Sequence, residues 1–152
     1  AKLGDDIFDY FGLGCRSVSK IFIPKDFVIA DFFEAIADYK WVSDHYKYSN
    51  NYDYNKSIYL VNAEQHYDNG FLLLKRDENI ASPLAVVFYD EYNDLAEVEN
   101  YINSRTDSIQ CVTSMAALAI DTPLFDLGGS QYPALDDYAD GIDTLQFLAD
   151  NQ

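Results

Sequence analysis

The sequence predicts an α/β fold, a mainly parallel sheet flanked by helices in three layers. Three observations predict it. Short apolar runs bounded by turn residues, at Lys20–Ile23, Phe71–Leu74 and Leu84–Tyr89, read as strands. Stretches such as Ile29–Lys40 and Leu95–Ile102 space their apolar residues at the helical period instead. Strand and helix patterns then alternate along the chain, which favours crossover connections and parallel pairing.

The elements follow in order. Asp5 and Asp6 stand in the first turn of a short helix carrying Ile7, Phe8 and Phe11, which Gly12-Leu13-Gly14 ends. Cys15-Arg16-Ser17-Val18-Ser19 leads into the strand Lys20–Ile23, closed by Pro24. Asp26 is placed to cap a helix whose stripe is Ile29, Phe32, Phe33 and Ile36. From Trp41 to Asn55 the sequence is crowded with Tyr, Asn, Lys and Asp and lacks periodicity, so a loop is expected there, with a helix resuming at Ser57–Asn62. Asp68-Asn69-Gly70 is a turn signal before the buried strand Phe71–Leu74. Leu84–Tyr89 is the strongest strand. Asn93 or Asp94 caps a helix with Leu95, Val98 and Ile102 on one face. Ile109–Thr113 reads as a short strand holding Cys111. Turns follow at Asp121-Thr122-Pro123 and Gly128-Gly129, then a helical patch at Leu145–Leu148.

A chain of 152 residues suits one domain with one core. With 49% hydrophobic and 24% charged residues it has an ordinary soluble composition, and its 13 Tyr and 10 Phe argue for packing over disorder. The formal charge of -16 repels phosphate backbones, so nucleic acid and anionic membrane are poor partners for the general surface. The plainest meaning of that charge is solubility. No apolar stretch approaches the roughly 20 residues of a bilayer span. Nothing at the N-terminus resembles a signal peptide, and the two cysteines are expected as free thiols in the cytoplasm. With no Met at its start and dense apolar sequence within a few residues of Ala1, from Ile7 to Phe11, the chain reads as a piece of a longer polypeptide.

Cys15 is the foremost candidate for chemistry. Glycines at 12 and 14 let backbone approach a ligand there. A helical turn after Cys15 would place its sulfur among free N–H groups, which favour thiolate and stabilise an oxyanion. Arg16 and Lys20 add positive charge. The bland alternative is a buried structural cysteine, and Cys111, between Gln110 and Val112, is expected to be one. His45 and His66 read as surface or loop histidines, with no neighbour to orient the imidazole. The pairs Asp5-Asp6 and Asp136-Asp137 are explained by capping and solvation, with no metal site expected. Gly12-x-Gly14 and Gly128-Gly129 are too short for a nucleotide fingerprint.

The run Phe11-Gly12-Leu13-Gly14-Cys15-Arg16-Ser17-Val18-Ser19-Lys20-Ile21-Phe22-Ile23-Pro24 resembles the nucleophile segment of LuxC-type fatty acyl-CoA reductases, members of the aldehyde dehydrogenase superfamily. Tyr48–Lys56 and Asp68–Leu74 resemble bacterial reductases of this family. Glu78-Asn79-Ile80-Ala81-Ser82-Pro83 with Leu84–Phe88 resembles the superfamily's acidic-residue, Gly-Pro and strand segment. Gly128-Gly129-Ser130-Gln131 through Asp137-Tyr138-Ala139-Asp140-Gly141 resembles its C-terminal part. The likeness spans nearly the whole chain.

The resemblance implies an aldehyde-dehydrogenase-like catalytic domain, with Cys15 as acyl acceptor from a long-chain acyl-CoA or acyl-protein thioester. It implies reduction by NADPH to a fatty aldehyde, Gly14 and Arg16 near the substrate, and Glu78 and Asn79 as cofactor-contacting candidates. A possible acyl-transferring partner protein and a possible homo-oligomer follow from it too. The family's ribose-binding Glu falls on Asn79 here. Its Rossmann domain, general base and oxyanion Asn belong upstream, so this chain alone is expected neither to bind NADPH usefully nor to turn over. Two other readings stand beside it: a CoA-acylating or aldehyde-oxidising dehydrogenase, and a non-catalytic acidic domain using Tyr39, Tyr46, Tyr48, Tyr52 and Tyr54 as contact surface.

Overall fold

A computed structural model describes every residue except Ala1, Asp136, Ala139, Asp140 and Gln152. Its centre is a four-stranded sheet in the order β1-β4-β3-β2, with β1 Lys20–Pro24, β2 Tyr67–Asp68, β3 Leu73–Arg76 and β4 Val86–Tyr92. β4 pairs parallel to β1 (Lys20 opposite Phe88) and to β3 (Leu73 opposite Val86), and β2 runs antiparallel to β3. The sheet is thus mixed and mainly parallel, as alternating strands and helices predict. A second, two-stranded parallel sheet joins β5 Val112–Thr113 to β6 Leu124–Phe125.

β4 is apolar because it is central: Val86, Val87, Phe88 and Tyr89 are all buried. The core continues through Leu72, Leu73 and Leu74 to Phe8, Ile36 and Val42. The Asp68-Asn69-Gly70 turn forms as the residue types demand. Asn69 Oδ1 accepts from Phe71 N and Leu72 N at 3.1 and 2.8 Å, and Asp68 Oδ1 accepts from Gly70 N at 2.8 Å.

Several expectations need correcting. Trp41–Asn55 is no loop: a 3₁₀ segment at Ala37–Asp44 leads into α3, Tyr46–Val61. Its inward positions Tyr48, Tyr52, Asn55 and Tyr59 are spaced as a helix face, but they are phenols and an amide, which leave no aliphatic stripe to read. Tyr48 is only 2% exposed because its hydroxyl donates to Phe71 O at 3.0 Å.

Asp26 caps nothing. α2, Ile29–Ala35, starts after Val28 without a side-chain cap, and breaks at Ile36 into the 3₁₀ segment. Asp94, the alternative to Asn93, caps α4, Leu95–Asn103, by accepting from Ala96 N at 3.2 Å. Cys111 lies just before β5 and not within it. A further helix, α5, covers Thr144–Asp150. Among the described residues no helix is long and apolar enough to cross a membrane.

Candidate functional site

α1, Lys2–Phe8, brings the chain to an unusual approach. Tyr10, Phe11 and Gly12 have φ values of 55°, 58° and 68°, three successive left-handed residues of which two carry side chains. Each such non-glycine residue costs about 1 kcal/mol or more, so surrounding packing must hold it. The Phe11 ring supplies that, stacked on His45 at 3.9 Å and edge-on to Trp41 at 5.7 Å. His45 is therefore oriented after all, since its Nδ1 also accepts from Tyr48 N at 3.4 Å at the start of α3. His66 is held separately, with Nδ1 2.8 Å from Glu64 O.

After this left-handed stretch, Gly14–Ser17 closes a tight turn, Ser17 N donating to Gly14 O at 3.0 Å. Cys15 sits within it, exposed. No helix follows: Val18 N donates to Asp6 O at 2.9 Å, and Phe88 N takes Ser19 O as the chain enters β1. No helix terminus therefore faces the Cys15 thiol, and the Ser17 N–H is not free to bind an oxyanion.

Arg16 and Lys20 do not lend free charge either. Arg16 makes a bidentate pair with Asp137 at 2.7 and 2.8 Å and lies over the Phe125 ring. That hydrogen bonding raises Arg16 further and holds the Asp137 carboxyl below its usual range. Lys20 Nζ turns to Asp77 O at 2.7 Å, and burial pulls its amine down.

The turn borders a cavity of about 250 Å³, with Gly12, Leu13 and Ser17 on one wall and Ser82, Pro83 and Leu84 on another. Tyr48 and Leu72 belong to its lining. Strain recurs on its far side, where Ala85 has φ 63°. Asn55 of α3 fixes that segment by donating to Leu84 O at 2.9 Å. Left-handed non-glycine backbone thus occurs both before the Cys15 turn and on the wall facing it. Strain of this kind gathers at functional sites.

Glu78 and Asn79 lie elsewhere, exposed on the loop after β3. Asn79 binds the Asp77 carboxylate through its backbone N–H and side chain at 3.0 and 2.8 Å, and Glu78 O accepts from Tyr101. Glu78 lines a separate polar cleft with Arg76, Asp77 and Asp90. The link to the Cys15 segment is indirect, through Ser19 Oγ donating to Ile80 O at 2.8 Å.

Three groups that sequence reasoning missed surround the turn. Asp6 is fully buried and accepts from Gly128 N, Ser130 N and Ser130 Oγ at 2.6, 3.0 and 2.7 Å. Gln131 lies against Gly14 and Ser17. Cys111, half-buried, has its thiol pushed up by burial and pulled back by Arg16, and Cys15 is among the groups whose charge acts on it. Both thiols therefore share the neighbourhood of Arg16, despite their distance in sequence. Of the acidic pairs, Asp137 is the Arg16 partner, while Asp136, Ala139 and Asp140 lie outside the described residues. Among the described residues no group of three or more His, Cys, Asp or Glu side chains is placed to hold a metal ion.

Comparison with protein-family models finds no match to this chain, and comparison with curated proteins finds no significant one.

Proposed function

We propose that this chain is the nucleophile-bearing domain of an acyl-CoA reductase, a three-layer α/β domain of the aldehyde dehydrogenase kind acting in the cytoplasm. Cys15 is the acyl acceptor. The observation that carries the reading is the exposed Cys15 on a tight turn whose last residue, Ser17, lines a cavity, next to backbone held in left-handed conformations.

In this reading the Cys15 thiolate attacks the carbonyl carbon of an acyl thioester. The new carbon–sulfur bond forms as the old one breaks, and the departing thiolate takes up a proton. The acyl group comes from a long-chain acyl-CoA, or from a protein thioester supplied by a partner. NADPH is the two-electron donor that the overall conversion to aldehyde requires. Glu78 and Asn79 do not fit it by themselves. Their cleft is acidic, and its guanidinium, Arg76, is already engaged by Asp90 and Glu91 at 3.3 and 3.4 Å.

Intact-mass measurement after mixing the longest form of the protein with a long-chain acyl-CoA, without NADPH, tests the reading. A single acyl adduct, lost in Cys15→Ala and kept in Cys111→Ala, supports it. No adduct would overturn it in favour of a second reading, an acidic interaction domain. Of the tyrosines that alternative named, only Tyr46 at 80% and Tyr54 at 66% are exposed, while Tyr48 and Tyr52 are buried in the core and Tyr39 is half-buried, so the surface it can offer is smaller than the sequence suggested. A CoA-acylating or aldehyde-oxidising enzyme would form the same adduct and differ in the direction of turnover.

A further inference from the structure

We propose that the Gln131 carboxamide is a positioning residue for Cys15. It clasps the Gly14–Ser17 turn through the space that Gly14 leaves open, and so sets the reactivity of the thiol on that turn. The proposal deepens the acyl-acceptor reading and rests on it for its catalytic meaning.

Gly14 is the first observation. Gly12 has a positive φ, and Gly14 does not, so its backbone is open to any residue. What Gly14 supplies is room. A Cβ there would stand 3.2 Å from Gln131 Oε1, 3.7 Å from Gln131 Nε2 and 3.2 Å from Ser17 Oγ. The amide therefore occupies the space beside the first residue of the turn. Its Nε2 donates to Ser17 Oγ at 3.5 Å, touching the last residue. Cys15 and Arg16 are the two residues in between. A contact at that distance is a light one, and it leaves the second N–H of the amide uncommitted by it.

The backbone of Gln131 is the second observation. Ser130, fully buried, is bound to the Asp6 carboxylate through both N and Oγ, and Tyr132 N donates to Gly129 O at 3.2 Å. The carbonyl of the same Asp6 accepts from Val18 N, directly beyond the turn. One residue of α1 thus fixes both the loop carrying Gln131 and the exit of the segment carrying Cys15. A side chain held on such a frame holds its partner in turn.

Chemistry gives the third. Arg16 is already paired with Asp137, whereas the Gln131 amide, held to the turn by one light hydrogen bond, is a neutral dipole resting on it. A neutral amide leaves thiolate formation unopposed, whereas a carboxylate in its place would repel it.

The test is alkylation of Cys15 by iodoacetamide in the full chain, in a Cys111→Ala background, followed from about pH 6 to pH 10. Gln131→Glu is expected to slow alkylation near neutral pH by roughly 3- to 10-fold and to move the pH midpoint upward, with the rate recovering at high pH. Gly14→Ala is expected to change the rate less in a Gln131→Ala background than in the parent, since both act on one contact. Thermal midpoints of all variants report folding separately. A Gln131→Glu profile superimposed on the parent's would overturn the proposal, and so would additive Gly14 and Gln131 effects. A shifted profile in a protein that forms no acyl adduct would uphold the clasp and remove the acyl-acceptor reading.

Discussion

Asp6 and Ser130 tie the two ends of the chain together, Ser130 Oγ donating to Asp6 Oδ1 at 2.7 Å while both residues are fully buried. With Ser130 N and Gly128 N also donating, the carboxylate receives three bonds from one short segment. A buried carboxylate is tolerated when its lone pairs are filled this way. Asp6→Ala removes the acceptor and leaves two buried donors, Ser130 N and Oγ, and the half-buried Gly128 N without it. The expected loss is about 3 to 5 kcal/mol in urea unfolding, with Cys15 becoming more accessible to thiol reagents. Asp5→Ala, one position away and half-buried, is the control, losing no more than the bond from Tyr39.

Tyr39 is one of the phenols that act on the alkaline side. Its hydroxyl donates to Asp5 Oδ1 at 2.5 Å and its ring stacks on Phe8 at 5.2 Å. Burial, with the Asp5 bond, pushes the phenol up to about 12. The folded state then holds the proton more tightly than the unfolded chain, whose tyrosines titrate near 10. This contribution is whole below about pH 10 and is lost as pH rises through about 12. Tyr39→Phe should flatten the fall of the urea midpoint across that window. An unchanged alkaline slope would assign the loss to other groups.

These contacts show which parts were legible. β3 and β4 were readable because their burial is aliphatic and central, and Leu73, Leu74, Val86 and Val87 leave no other use for such runs; β1, an edge strand with only Ile23 buried, was readable from its apolar run closed by Pro24. The end of α3 was readable at Ser57–Asn62, but its first turns were not, since the inner face there is Tyr48, Tyr52 and Asn55, whose polar atoms bind Phe71 O, Asp68 and Leu84 O. Cys15 stood out through its flanking glycines. Asp6, Gln131 and the shared setting of Cys15 and Cys111 did not, because each depends on residues about a hundred positions away. An acidic pair in a first helical turn reads as a cap unless the segment that buries it is known.

Tyr10 separates strain from packing. It is left-handed, yet its side chain is 66% exposed, whereas the Phe11 ring is held by His45 and Trp41. Tyr10→Gly relieves the backbone strain, partly offset by a looser unfolded chain. Stability should rise by about 0.5 kcal/mol. Phe11→Gly relieves the same strain but discards the stack, so it should lower stability by about 2 kcal/mol or more. Urea unfolding of the two variants side by side gives opposite signs if the left-handed stretch is held by the Phe11 ring.

Arg16 and Asp137 make the acid side testable. The guanidinium's hydrogen bonds hold the Asp137 carboxyl below its ordinary value. A carboxyl depressed on folding contributes in full above the unfolded value near 4, and that contribution is lost as pH falls through its lower folded value. Arg16→Gln returns Asp137 toward ordinary behaviour, so the fall in stability below about pH 4 should become shallower. Asp137→Asn should do the same, and the double variant should add little, because both remove one pair. Arg16 also lies over Phe125, 5.5 Å from the ring centroid, so Arg16→Gln alone should loosen β6. Faster amide exchange at Phe125 in Arg16→Gln but not in Asp137→Asn would separate the stacking role from the ion pair.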